Sequence, residues 1–184
     1  MYFLPKTLSV DGREYAIRTD FRAALKIFEA CNDSLLPPAA MARTVVNCLY
    51  KEIPENALEA YTKAMWFLDG GDMPKSKQAP RRMMDWEQDE YLIFPALNKA
   101  AGYEVREAKY LHWWSFLGLF NEIGDGLYSQ VMSIRSKLAR GKPLEKWERE
   151  FFNSHRELIV LKEKLTPEEE AELREEQAFL DSIC

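Results

Sequence analysis

The sequence predicts a mainly α protein, a multi-helix bundle of about seven to eight helices with a short N-terminal β-hairpin. Three observations predict it. Apolar residues recur at three- and four-residue spacing through most of the 184-residue chain. Proline and glycine punctuate these stretches at Pro37-Pro38, Gly70-Gly71, Gly102, Gly124-Asp125-Gly126 and Gly141. Strand-like alternation flanks one tight-turn signal, Asp11-Gly12, whose two positions suit the positive φ of a two-residue hairpin turn.

The elements follow in order. Residues 7–10 and 13–17 form the hairpin, which is marginal alone and must lean on helices or on another chain's edge. Helix 1 starts at Thr19 or Asp20, both good caps, and turns Phe21, Ala24, Leu25 and Phe28 inward. Pro37-Pro38 opens helix 2, with Met41, Val45, Cys48 and Leu49 as its buried face. Helix 3 begins at Pro54 and carries Leu58, Tyr61, Met65 and Leu68 to Gly70-Gly71. Residues 69–84 read as a basic loop containing Lys75, Lys77, Arg81 and Arg82.

Helix 4 starts at Asp85 and buries Trp86, Ile93, Leu97 and Ala101 before Gly102, while Pro95 should bend or divide it. Helix 5 contains the stretch 110–120, in which eight of eleven residues are large and apolar and none is charged. Such a helix is apolar all round and must be enclosed, by its own fold or by another molecule. Helix 6 spans about 127–139, with Val131, Ile134 and Leu138 inward. A long helix 7 starts at Pro143 and carries Leu144, Trp147, Phe151, Leu158 and Leu161. Thr166, Pro167 and Glu169 make a capping box for a last helix at 167–181. The expected organisation is a helical domain at 1–165, with the hairpin within 1–18, and an acidic C-terminal helix at 166–184.

Net charge is −5, and residues 163–184 alone hold eight acids against two bases. The body is therefore nearly neutral, which argues against nucleic acid as a partner. The start of the chain lacks a secretory pattern, and the 110–120 stretch falls short of the roughly 20 apolar residues of a membrane span. Cys31, Cys48 and Cys184 form no paired motif, as for reduced thiols. The expected location is the cytoplasm.

Motifs for catalysis are sparse. The two histidines, His112 and His155, lack a glutamate three residues earlier, so a helical carboxylate-bridged metal site is not encoded. Nucleotide-binding glycine loops, zinc-ligand spacings and the nucleophile-elbow motif are absent. No catalytic residue, cofactor or metal is expected. His112 reads best as a partly buried histidine with one satisfied nitrogen. Asp85, Glu87, Asp89 and Glu90 read best as first-turn acids that favour the helix dipole. An enzyme acting through His112 and the acids at 85–90 is the weakest reading.

Candidate partner-binding residues are apolar. Trp113 and Trp114 are adjacent and point about 100° apart on a helix, so one can fill a core while the other meets a second surface. Phe116 and Phe120 extend that apolar area. Leu173 and Leu180 lie near heptad spacing on the acidic helix, which packs on the body or docks with a partner.

Four patches together resemble a known family: Tyr15-Ala-Ile-Arg-Thr-Asp-Phe-Arg22, Asp85-Trp-Glu-Gln-Asp89, Leu111-His-Trp-Trp-Ser-Phe116 and Ile134-Arg135. They are similar to the phage gene-product-fifteen family, found among tail-morphogenesis genes of long-tailed phages and prophages of Gram-positive bacteria. The resemblance spans roughly residues 13–140, and Pro95 departs from its pattern. It implies a small, largely helical tail assembly chaperone that is not an enzyme. The implied partners are the tape-measure protein and the major tail protein, with self-association, in the host cytoplasm. The alternative is a structural virion component, such as a head–tail connector or tail completion protein.

Overall fold

The computed structural model describes residues 3–32, 36–71 and 83–162. Strands β1 (Thr7–Val10) and β2 (Arg13–Ala16) pair antiparallel, with Leu8 opposite Tyr15 and Val10 opposite Arg13. Asp11 and Gly12 take φ of 48° and 75°, the positive values that the turn requires. The hairpin leans on helices through Leu8, Val10, Tyr15 and Ile17, all buried. Ile17 also forms an antiparallel bridge with Tyr50, flanked by Arg18 N–H donating to the Leu49 carbonyl and Lys51 N–H to that of Ala16.

Eight α-helices follow among the described residues. Helix α1 (Phe21–Cys31) is capped by Asp20, whose carboxylate accepts from the Arg22 N–H at 3.0 Å. Helix α2 (Pro38–Leu49) starts on proline, as predicted. It packs between α1 and α3, which turns its buried arc towards Val46 and leaves Cys48 exposed, contrary to the sequence expectation. Helix α3 (Ala57–Leu68) begins after an Asn56 cap, three residues beyond Pro54. Its inner face is Ala60, Ala64, Phe67 and Leu68, not the larger Leu58, which is 79% exposed. Two alanines one turn apart permit close approach, and the Tyr50 hydroxyl donates to the Ala60 carbonyl at 3.0 Å.

Helix α4 (Glu90–Ala101) starts later than predicted. Residues 86–89 form a turn instead, held by Asp85, whose carboxylate accepts from the Glu87 and Gln88 N–H groups. Pro95 neither ends nor divides α4. It faces solvent along with Tyr91, the residue whose carbonyl loses its intrahelical donor. Gly102, in the left-handed region at φ 76°, closes the helix.

After a 3-10 turn at Val105–Glu107 come α5 (Trp113–Asn121) and α6 (Leu127–Ala139). Leu138 tips outward on α6, and Arg135 is buried in its stead. The predicted long helix 7 is two helices, α7 (Lys146–Ser154) and α8 (Arg156–Ile159), broken at His155 with φ −135° and ψ 42°. Just before the break, the Ser154 hydroxyl bonds back to the Glu150 carbonyl, a contact that weakens a helix end. Trp147 is about half exposed, and Glu148 takes the inner position. The Glu148 carboxylate accepts from Lys137 Nζ at 2.7 Å and from the Glu145 N–H at 2.8 Å, and these contacts hold its pKa below the usual glutamate range. The acidic helix expected at 166–184, with Leu173 and Leu180, lies outside the described residues.

The core centres on stacked aromatics. Phe21 lies 4.7 Å from Phe116, and Trp113 lies 5.4 Å from Phe116. Trp86 closes this cluster against Phe28, Trp113, Phe116 and Phe120.

Candidate interaction surface

The apolar stretch begins as extended chain and becomes helical only at Trp113. His112 is the N-cap of α5, not part of its interior. Its Nδ1 accepts from the Trp114 N–H at 3.0 Å, which places the ring proton on Nε2, and Nε2 donates to the Pro5 carbonyl at 2.9 Å. Both nitrogens of this buried ring are therefore engaged, one more than expected. A second tie fixes the entry to α5: Trp113 N–H donates to the Thr19 carbonyl at 2.7 Å and Phe21 N–H to that of Leu111 at 3.0 Å.

The adjacent tryptophans close the end of α3. Trp113 Nε1 donates to the Leu68 carbonyl at 2.9 Å, and Trp114 Nε1 to the Phe67 carbonyl at 2.8 Å. Terminal carbonyls that lack intrahelical donors thus gain indole partners. The turn beyond them needs glycine. Gly71 has φ 93°, and a Cβ there would lie 2.9 Å from the Trp114 ring.

The candidate partner residues divide. Trp113 and Phe116 are 1% and 0% exposed. Phe21, Phe28 and Trp86 cover them, so the expectation that they face a partner gives way to a core role. Trp114 and Phe120 are partly exposed, with Leu117 between them on the outer side of α5. Trp66, which the sequence reading overlooked, joins them edge-on, 5.3 Å from Trp114. The apolar surface that remains is therefore Trp66, Trp114, Leu117 and Phe120. Lys75, Lys77, Arg81 and Arg82 of the basic loop lie outside the described residues.

The acids at 85–89 do different work from that expected. Asp89 is buried and pairs bidentately with buried Arg135, at 2.6 and 2.8 Å. Its carboxylate also accepts from the Asp85 N–H at 2.9 Å. Asn32 donates to Asp85, which links α1 to this turn. Arg135 further donates to the carbonyls of Met83, Leu158 and Ile159. The network joins α1, the 83–89 segment, α6 and α8. Burial raises the neighbouring Tyr128 hydroxyl to a pKa of about 12. Sequence spacing gave no sign of Arg135 in this role, because an arginine beside Ile134 reads as a helix's solvent edge.

Among the described residues, no group of histidine, cysteine, aspartate and glutamate side chains is placed to hold a metal ion. No described helix is long and apolar enough to cross a membrane. Fold and surface together define a mainly helical protein whose buried polar groups serve its own architecture and whose aromatic helix α5 reaches the surface on one side. The chain belongs to the Bacteriophage Gp15 protein family, whose model matches residues 3–161. That match runs beyond the 13–140 resemblance and takes in α7 and α8. No curated protein and no solved structure matches the chain.

Proposed function

We propose that this phage protein is a tail assembly chaperone that acts by binding and not by catalysis. Its client is the tape-measure protein, held soluble in the cytoplasm of the bacterial host while tail-tube subunits assemble on it. The observation that carries this reading is the outer side of α5, where Trp66, Trp114, Leu117 and Phe120 present aromatic and aliphatic area over a rigid bed. Tryptophan is enriched at binding hot spots, and the indole hydrogen bond to Phe67 fixes the Trp114 ring before any partner arrives. Membership of a phage family supports the setting. The acid-rich residues 163–184, including Leu173 and Leu180, are a second candidate contact and supply negative charge that favours solubility.

Co-expression with the tape-measure protein of the same phage tests the proposal. The client should become soluble and co-purify, and Leu117→Asp with Phe120→Asp should abolish co-purification while the helical circular dichroism persists. A client that stays insoluble and never co-purifies ends the chaperone reading. Mass spectrometry of purified virions distinguishes a chaperone, absent from mature particles, from a structural component, present at fixed stoichiometry.

A further inference from the structure

Among the described residues nothing pairs with the outer edge of β1, and the limits of that edge follow from the register. Ile17 N–H donates to the Lys6 carbonyl, so Lys6 and Ile17 form a hydrogen-bonded pair. In an antiparallel ladder these pairs alternate. Leu8–Tyr15 and Val10–Arg13 are therefore also hydrogen-bonded, and the backbone groups of Thr7 and Ser9 point away from β2. Their N–H and C=O groups have no hydrogen-bond partner among the described residues. The edge stops sharply at both ends: Pro5 has no N–H, and the Asp11 N–H is taken by Glu59 Oε2 at 3.0 Å. On the other side of the hairpin, the 49–51 segment already covers β2 at Ala16 and Arg18.

We propose that a second copy of this chain pairs antiparallel along β1, about a two-fold axis at Leu8. This inference does not depend on the chaperone reading. Register selects the partner. With Thr7 opposite Ser9 of the second copy, and the reverse, all four free groups of each strand edge are used. Thr7 opposite Thr7, or Ser9 opposite Ser9, would set the other of the two against Pro5 or Asp11, whose N–H is missing or taken, and leave a carbonyl of each strand unpaired. Leu8, already on the buried face, falls opposite its own copy and extends the hydrophobic layer. Phe3 and Leu4, 84% and 45% exposed, run alongside the second copy's turn and lose water there. Within residues 7–10 themselves the edge contains no lysine, proline or bulge.

Sedimentation velocity on the full chain over a range of concentrations is the test. Wild type should show a monomer–dimer equilibrium. Ser9→Pro removes an outward N–H but no ladder bond, and proline is tolerated on an edge strand. It should sediment as a monomer with unchanged circular dichroism. Thr7→Lys with Ser9→Lys leaves every backbone group in place, sets like charges face to face, and should also give a monomer. A wild type that is monomeric at every concentration overturns the proposal. So does a dimer that survives the double lysine variant, because its contact then lies elsewhere.

Discussion

Replacing Arg135 with methionine should cost about 5 kcal/mol of folding stability. The pair it forms with Asp89 is buried on both sides, with 5% and 1% side-chain exposure. Removing one partner of such a pair costs roughly 3–5 kcal/mol, because the other charge is left without compensation. Arg135 also serves the carbonyls of Met83, Leu158 and Ile159, each worth about 1 kcal/mol as a hydrogen bond. These costs overlap, and about 5 kcal/mol is a conservative total. The reverse change, Asp89→Asn, should be milder, at about 3 kcal/mol, the lower end of the range for such a pair. The guanidinium then keeps three carbonyl acceptors, and the amide oxygen of the new side chain still receives the Asp85 N–H. In a domain of this size each kcal/mol moves the melting temperature by roughly 2–4 °C. Arg135→Met should therefore melt on the order of 10–20 °C lower, and Asp89→Asn about half as far. Urea denaturation followed by tryptophan fluorescence, with thermal melts by circular dichroism, gives both values. An Arg135→Met protein within about 1 kcal/mol of wild type, or one more stable than Asp89→Asn, would refute the argument that this network ties α8 to the body.

Other expectations are equally direct. His112→Ala removes a helix cap and the bond to Pro5 and should cost about 2 kcal/mol, while His112→Asn, which keeps a cap acceptor, should recover roughly half in a thermal melt. Gly71→Ala forces a Cβ against Trp114 at a positive φ; it should cost about 1–3 kcal/mol and shift the tryptophan emission spectrum, and an unchanged spectrum would argue against that contact. Burial raises Tyr50 and Tyr128 from 10.0 to about 12, so the fold favours their neutral forms. Their contribution to stability is complete below pH 10 and is lost as pH rises through about 12. Tyr50→Phe should flatten the decline in urea midpoint over that interval, and an identical decline would show that Tyr50 does not contribute.

The parts of the fold that were legible in the sequence are those fixed by local chemistry. Asp11-Gly12, the Asp20 cap, Gly102 and the span of α6 each depend on a few neighbouring residues, and all appear where expected. Helix faces were less legible. In α3 the large side chains suggested one face, yet Ala60 and Ala64 form the contact, because close packing between helices selects for small volume. In α7 the same bias favoured Trp147 over Glu148, whose burial depends on Lys137 from another helix. The candidate surface was half legible. The divergence of Trp113 and Trp114, about 100° on a helix, correctly implied different surroundings. Which of them stays accessible is decided by Phe28 and Trp86, remote in sequence. Trp66 gave no local signal at all, and Arg135 stood out only as part of the family resemblance, without any sign of its buried pairing.

The closure of α3 by α5 has a consequence for the order of events during synthesis. The donors that complete the helix lie 45 and 47 residues downstream of the carbonyls they serve. At translation rates of roughly 5–20 residues per second, they emerge seconds after α3 does. For that interval the Leu68 carbonyl lacks its donor and that of Phe67 has only the local Gly70 N–H, with both side chains uncovered. The protein is itself briefly a candidate for chaperoning until Trp113 and Trp114 leave the ribosome.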